Sequence, residues 1–145
     1  MVKILAFAGS GRKDSVNKKV VAIAAKGAQE AGAEVTIVNL EDFDMPIFND
    51  WASRKTGDEA PMAAYRGKVA AIMAASPGAL GGMRVLVTLR MLLENIGTMV
   101  LPTQKAVGGA FKLFDEHGNI TDEKTEKALK TLGKELVETL TKLKG

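Results

Sequence analysis

Between residues 3 and 40 the apolar residues change period twice, and no other feature constrains the fold as tightly. Lys3 to Ala8 is a nearly unbroken apolar run that stops at Gly9, and Glu34 to Leu40 carries Val35, Ile37, Val38 and Leu40. Between them Val16, Val20, Ile23, Ala24, Gly27, Ala28 and Ala31 recur at three- and four-residue spacing, the mark of an amphipathic helix. Gly32 falls where a helix C-terminal glycine belongs. Strand, helix and strand in such close succession make a βαβ unit, with parallel strands and a right-handed crossover.

The same alternation continues. Lys68 to Ala75 has no polar alternation, as expected of a parallel strand covered on both faces. After the turn Ser76 to Gly82 a helix is predicted from Met83 to Ile96, ending at Gly97. A fourth strand follows at Thr98 to Leu101 and resumes at Lys105 to Val107. Thr121 is the expected N-cap of the last helix, whose buried stripe reads Leu129, Leu132, Leu136, Leu140 and Leu143. Strands alternating with helices define the doubly wound α/β class, in one domain spanning residues 1–145. The helix from Met83 to Ile96 is apolar round most of its circumference, so it reads first as a core helix and second as a subunit interface.

Composition removes several function classes. With no cysteine there is no disulfide, thiolate metal site or cysteine nucleophile, and one histidine, His117, makes no multi-histidine metal site. The 20 basic and 17 acidic residues are mixed along the chain, which argues against nucleic acid. No apolar run approaches the roughly 20 residues of a membrane span, and the N-terminal run is better explained by a buried strand than by a signal peptide. A cytoplasmic protein is expected.

Two loops carry the candidate chemistry. Gly9-Ser10-Gly11-Arg12-Lys13-Asp14-Ser15-Val16-Asn17 joins the first strand to the first helix, at the carboxyl end of a strand where open α/β sheets bind ligands. The helix N-terminus, neutral donors from Ser10, Ser15 and Asn17, and the Arg12 fork together suit a phosphate; the plainer alternative is a helix cap. No Gly-Lys-Ser/Thr closes a Walker loop, and Asp14 stands where a dinucleotide fingerprint needs its third glycine. The second loop, Ser76-Pro77-Gly78-Ala79-Leu80-Gly81-Gly82, lets backbone pass close to a flat ligand, or is simply a turn needing positive φ. Trp51 and Tyr65 read as packing anchors, Glu41, Asp42 and Asp44 as solvated surface, and His117 as an exposed turn.

These motifs resemble the NADPH-dependent FMN reductase family of flavodoxin-like proteins, whose first loop reads Gly-Ser-x-Arg-x-x-Ser-x-Asn. Asp44-Met45-Pro46-Ile47-Phe48 resembles the segment after that family's second strand, and Ser76 to Gly82 its Ser-Pro-Gly-x-x-Gly-Gly loop. The resemblance implies that Ser10, Arg12, Ser15, Val16 and Asn17 hold the FMN phosphate, while Pro77, Gly78, Leu80, Gly81 and Gly82 lie against the flavin ring. NADPH is the implied co-substrate, with FMN, a quinone or an azo compound as the small-molecule electron acceptor. No catalytic side chain and no metal are implied.

One stretch departs from the family. Twenty-seven residues, Glu41 to Gly67, join two parallel strands with no strong helical stripe. There the family has a further strand, a Pro-Glu-Tyr-Asn loop and a helix, whereas here Ile47-Phe48-Asn49 runs into Asp50-Trp51. A βα unit on the order of 35 residues is missing near residues 49–51. A natural deletion and a deliberate engineered truncation leave the same sequence. The expected fold is a flavodoxin-like parallel sheet reduced to four strands in the order 2-1-3-4, closed within one chain or rearranged by domain swapping in a homodimer. Impaired flavin chemistry follows, the alternative being a non-catalytic fold variant that no longer binds flavin.

Overall fold

The computed structural model describes residues 1–42 and 64–144. In chain order these form β1 (Lys3–Phe7), α1 (Val16–Glu30), β2 (Glu34–Val38), β3 (Val69–Ala75), α2 (Met83–Asn95), β4 (Met99–Val107) and α3 (Glu123–Lys144), with short 3-10 turns at Leu40–Asp42 and Ala110–Lys112. The α/β class and the parallel pairing are as the sequence predicts. The deletion site at 49–51, Trp51 and Asp44 lie outside the described residues.

β1 and β2 pair parallel in unbroken register from Lys3↔Glu34 to Phe7↔Val38. The helix between them ends as its sequence requires: Gly32 takes φ 88°, its N–H donates to the Gln29 carbonyl, and the Ala33 N–H donates to that of Ala28. This Schellman arrangement satisfies the last carbonyls of the helix. Gly97 closes α2 in the same way, with Thr98 N–H on the Leu93 carbonyl.

β3 and β4 pair parallel, but two steps along β3 (Ala70 to Ile72) are matched by four along β4 (Val100 to Gln104). The surplus falls at Pro102, which cannot donate to a ladder. Arg90 of α2 holds the bulge, donating to the carbonyls of Val100 (3.3 Å) and Leu101 (2.7 Å) and to Gln104 Oε1 (3.1 Å). The two sequence segments expected here are therefore one bulged strand.

α1 and α3 cover one face of both strand pairs, and α2 covers the opposite face of β3–β4. At its N-terminal end α1 packs Val16 and Val20 with Ala75, Val107 and Leu129; at its C-terminal end Ala28 meets Val2, Val137, Ile4 and Val35. The two helices touch almost backbone to backbone. A Cβ on Gly27 would collide with the Lys130 backbone, and one on Gly133 with the Ala24 carbonyl.

The sheet does not close. Among the described residues there are two separate two-stranded sheets, β1–β2 and β3–β4, with no ladder between β1 and β3. The four-stranded 2-1-3-4 sheet is thus corrected, among the described residues, to two separate parallel pairs. α1 packs on both pairs, with Val16 and Val20 against β3 and β4 and Ala28 against the start of β1 and β2.

Three further expectations change. The N-cap of α3 is Asp122, whose Oδ2 accepts the Thr125 N–H at 2.8 Å, while Thr121 Oγ1 donates to the Leu113 carbonyl. Leu143 is exposed rather than buried, because α3 runs beyond the strands there. α2 is not a core helix: only Leu86 is buried, and Met83, Val85, Val87, Met91 and Leu92 are each more than half exposed.

Candidate functional site

The β1–α1 loop begins at buried Ala8 and places Arg12, Lys13 and Asp14 in solvent. Ser10 Oγ accepts the Arg12 N–H at 3.5 Å, and the Ser15 N–H donates to the Arg12 carbonyl, so the loop folds back on itself before the helix. Ser15 is the N-cap residue with extended backbone, yet its side chain makes no cap bond. Its hydroxyl is buried, at 1% residue exposure, and is the one such side-chain atom without a partner among the described residues. A buried hydroxyl without a partner costs free energy unless something else occupies it. The first-turn amides of α1 lie beside it, with the partial positive charge of a helix N-terminus.

Val16 and Asn17 take roles that spacing alone does not show. The Val16 side chain belongs to the core, so only its backbone faces the loop. Asn17 turns its carboxamide to the end of β3: Nδ2 donates to the Ala75 carbonyl at 3.1 Å, and Oδ1 accepts the Ala75 N–H at 2.8 Å. This pair of bonds sets the start of α1 directly against the residue preceding Ser76, and so brings the two candidate loops together.

In the second loop Pro77, Gly78, Ala79 and Leu80 are exposed, whereas Gly81 is buried. Gly81 and Gly82 adopt φ 58° and 81°, and a Cβ on Gly81 would strike the backbone of Val107 and Gly108. Gly81 serves close packing against the turn after β4, and Gly82 close packing against Ala74. That turn also donates from Gly109 N–H to the Gly78 carbonyl and from Ala110 N–H to the Ser76 carbonyl. The Gly108-Gly109 pair therefore seats the loop, a role whose only sequence signal is two glycines directly after a strand. The exposed part of this loop is Pro77 to Leu80.

Glu41 forms an ion pair with Lys18 at 3.0 Å. His117 is exposed and its N–H donates to Asp115 Oδ1. Hydrogen bonds from the Asn119 backbone and side chain hold the Asp115 carboxyl below its ordinary pKa. Tyr65 contributes its carbonyl to Thr98 Oγ1 at 3.0 Å. No helix among the described residues is long and apolar enough to cross a membrane.

Comparison with known proteins agrees with this geometry. The family model described as NADPH-dependent FMN reductase matches residues 2–62 and 48–112. The NAD(P)H:(acceptor) oxidoreductase FerB from Paracoccus denitrificans superposes with a TM-score of 0.75 at 22% identity, over 98% of each chain. A flavodoxin from the domain Archaea superposes at 0.62 with 15% identity, over 97% of this chain and 99% of its own. RosB, solved with a bound 8-demethyl-8-formylriboflavin-5'-phosphate intermediate, superposes at 0.57 with 14% identity, over 98% of this chain and 81% of its own. At these identities the superpositions show a shared flavodoxin-like fold. No curated protein matches the sequence.

Proposed function

The chain belongs to the NADPH-dependent FMN reductase family, and from that premise we propose that it is a flavin oxidoreductase scaffold whose first loop still takes the FMN phosphate. The observation that carries this reading is the buried, partnerless Ser15 hydroxyl at the N-terminus of α1. A phosphate oxygen placed there would accept from that hydroxyl and from the first-turn amides. Arg12 and Ser10 would close over it from the exposed side, and Val16 would contribute its backbone N–H. Asn17 acts as a positioning residue, tying this loop to Ala75. Pro77, Gly78 and Leu80 present the surface for the ring, while Gly81 and Gly82 shape the turn beneath them.

When bound, FMN supplies the hydride chemistry between NADPH and a small-molecule acceptor such as free FMN, a quinone or an azo compound. The chain's own task is to bind and orient. Its activity is expected to be low, because the unit that covers the ring in the family is missing. The family match in two segments that overlap over residues 48–62 supports a deletion at that place. A displacement of about 1 Å at a positioned site can cost on the order of a hundredfold in rate. The absence of a ladder between β1 and β3 among the described residues favours the second reading, a non-catalytic fold variant. The exposed apolar residues of α2 support a homodimer.

The test is an FMN titration followed by flavin fluorescence on protein sized by light scattering. Saturable binding is expected, weakened about tenfold or more in Arg12→Ala, since a charge-assisted bond is lost. Ser15→Ala is expected to weaken binding as well while leaving the melting temperature unchanged or higher, because it removes a buried hydroxyl that has no bond to lose. Absence of saturable binding by the folded protein would leave the non-catalytic variant as the better reading.

A further inference from the structure

Helix α1 is charged the wrong way round for its own stability. Its first turn holds no acid but two lysines, Lys18 and Lys19, and its last residue is Glu30. A helix N-terminus carries partial positive charge, which favours acids there and cations at the far end. α3 follows that rule, with Glu123 and Glu126 in its first turn and Lys142 and Lys144 in its last. At the C-terminal end of α1 the exception has a local cause, since Glu30 is ion-paired to Lys130 at 3.3 Å. At the N-terminal end it is larger. Residues 12–19 hold four cations, Arg12, Lys13, Lys18 and Lys19, against one acid, Asp14. That local excess equals the +3 net charge of the whole chain.

On the reading that the β1–α1 loop takes a phosphate, we infer that Lys18, Lys19 and Glu41 determine its affinity for that group from a distance. Lys19 strengthens the hold on a phosphate dianion, and Glu41 weakens it by offsetting Lys18. The buried, partnerless Ser15 hydroxyl marks where the ligand's acceptor belongs.

Lys18 and Lys19 follow Ser15 by three and four positions. That spacing puts them on its side of the helix, with Cβ atoms about 5–6 Å away, and helical side chains lean toward the N-terminus. Such separations fall inside the Debye length of about 10 Å at 0.1 M salt. The two lysines are held in opposite ways. Lys18, with 17% of its side chain exposed, pairs with the Glu41 carboxylate at 3.0 Å, so the pair together adds little field at the loop. The Lys19 ammonium lies 5.1 Å from the centre of the Phe114 ring. It also lies beside Gly118, 3.6 Å from where a Cβ there would stand. An aromatic face holds a cation in place without cancelling its charge. Lys19 therefore adds its full charge to that of the helix end, and Lys18 does so only when Glu41 is neutral.

The test uses the full chain and two phosphate probes. FMN is followed by flavin fluorescence, and inorganic phosphate by the rise in melting temperature it produces. Lys19→Met keeps an apolar stem on Phe114 and removes the charge. Glu41→Gln keeps the shape of the pair and removes its negative half. FMN affinity at low salt is expected to fall about threefold to tenfold in Lys19→Met and to rise by a similar factor in Glu41→Gln. The phosphate-induced shifts are expected in the same order. Both differences from the unaltered chain are expected to close at about 1 M sodium chloride, where the Debye length is about 3 Å. A folding defect is not screened by salt, so a loss in Lys19→Met that persists there overturns the inference. Equal affinities in all three proteins, or a fall in Glu41→Gln, overturn it as well, while leaving FMN binding itself intact. If FMN fails to bind but the phosphate shifts keep this order, the flavin reading falls and the inference stands. If neither probe binds, both fall.

Discussion

Asn17→Ala removes the side-chain bridge that, among the described residues, ties the first candidate loop to the second sheet. Two hydrogen bonds are lost, at 2.8 and 3.1 Å, both part-buried. Each contributes about 1 kcal/mol net, so the bridge contributes about 2 kcal/mol. If water cannot reach the freed Ala75 groups, their desolvation adds about 1 kcal/mol or more. Alanine offsets about 0.5 kcal/mol through its better helix propensity in the first turn of α1. The net loss is then about 2 kcal/mol, or about 6 °C in melting temperature for a chain of this size. Urea denaturation with an unchanged slope measures the free-energy loss, thermal unfolding the shift in melting temperature, and hydrogen exchange at the Ala75 amide the freed N–H. Asn17→Asp is a useful companion: its carboxylate still accepts the Ala75 N–H but has no donor for the Ala75 carbonyl, so it is expected to recover no more than half the loss. A destabilisation below about 0.5 kcal/mol, with Ala75 exchange unchanged, would refute the clamp.

Other consequences can be measured on the same protein. Gly133→Ala places a methyl group against the Ala24 carbonyl and is expected to cost about 1–3 kcal/mol by forcing α1 and α3 apart, read as a lowered urea midpoint. Gly32→Ala, in open space but at φ 88°, should also destabilise, by strain alone and by about 1 kcal/mol. Asp115 and Asp122 both have carboxyl pKa values held below normal, the first chiefly by the Asn119 N–H and the second by Thr125. Their contribution is present above the unfolded carboxylate pKa of about 3.9 and is lost as pH falls through the lower folded values. An acid titration of stability should therefore lose part of its downward slope below pH about 4 in Asp122→Asn, the cap amide itself being retained.

What the sequence shows well is what is local. The βαβ start was legible because each element satisfies its own rule: a continuous apolar run, a four-residue repeat from Val16 to Ala28, and a glycine at position 32 with the dihedral only glycine adopts freely. Boundaries that depend on one hydrogen bond were harder, and the N-cap of α3 sits one residue beyond Thr121 because Asp122 reaches the Thr125 N–H. The failures are contacts across long separations. Asn17 meets Ala75, 58 positions away, and nothing in a Ser-x-Asn spacing distinguishes a phosphate ligand from a strand clamp. α2 misled for a related reason: an apolar circumference implies burial only if a partner is present on each side, and among the described residues the partner is β3–β4 alone. The candidate site was legible as two loops, but the division of labour inside it was not. Ser15 stands out only once its burial is known, and Gly81 of the second loop is occupied by the turn after β4.

The glycine-to-glycine seat between α1 and α3 also bears on how the chain assembles. Each sheet pairs strands that are close in sequence, so β1–α1–β2 and β3–α2–β4 can each gather from local contacts. The seat joins Gly27 to residues near position 130, about a hundred positions away, and contacts of such separation carry the largest loop-closure cost. The two halves are thus joined by this helix contact, by α1 packing on β3 and by the Asn17–Ala75 bonds, without a shared ladder among the described residues. A chain organised this way can gain or lose a strand between its halves and keep the same final docking step.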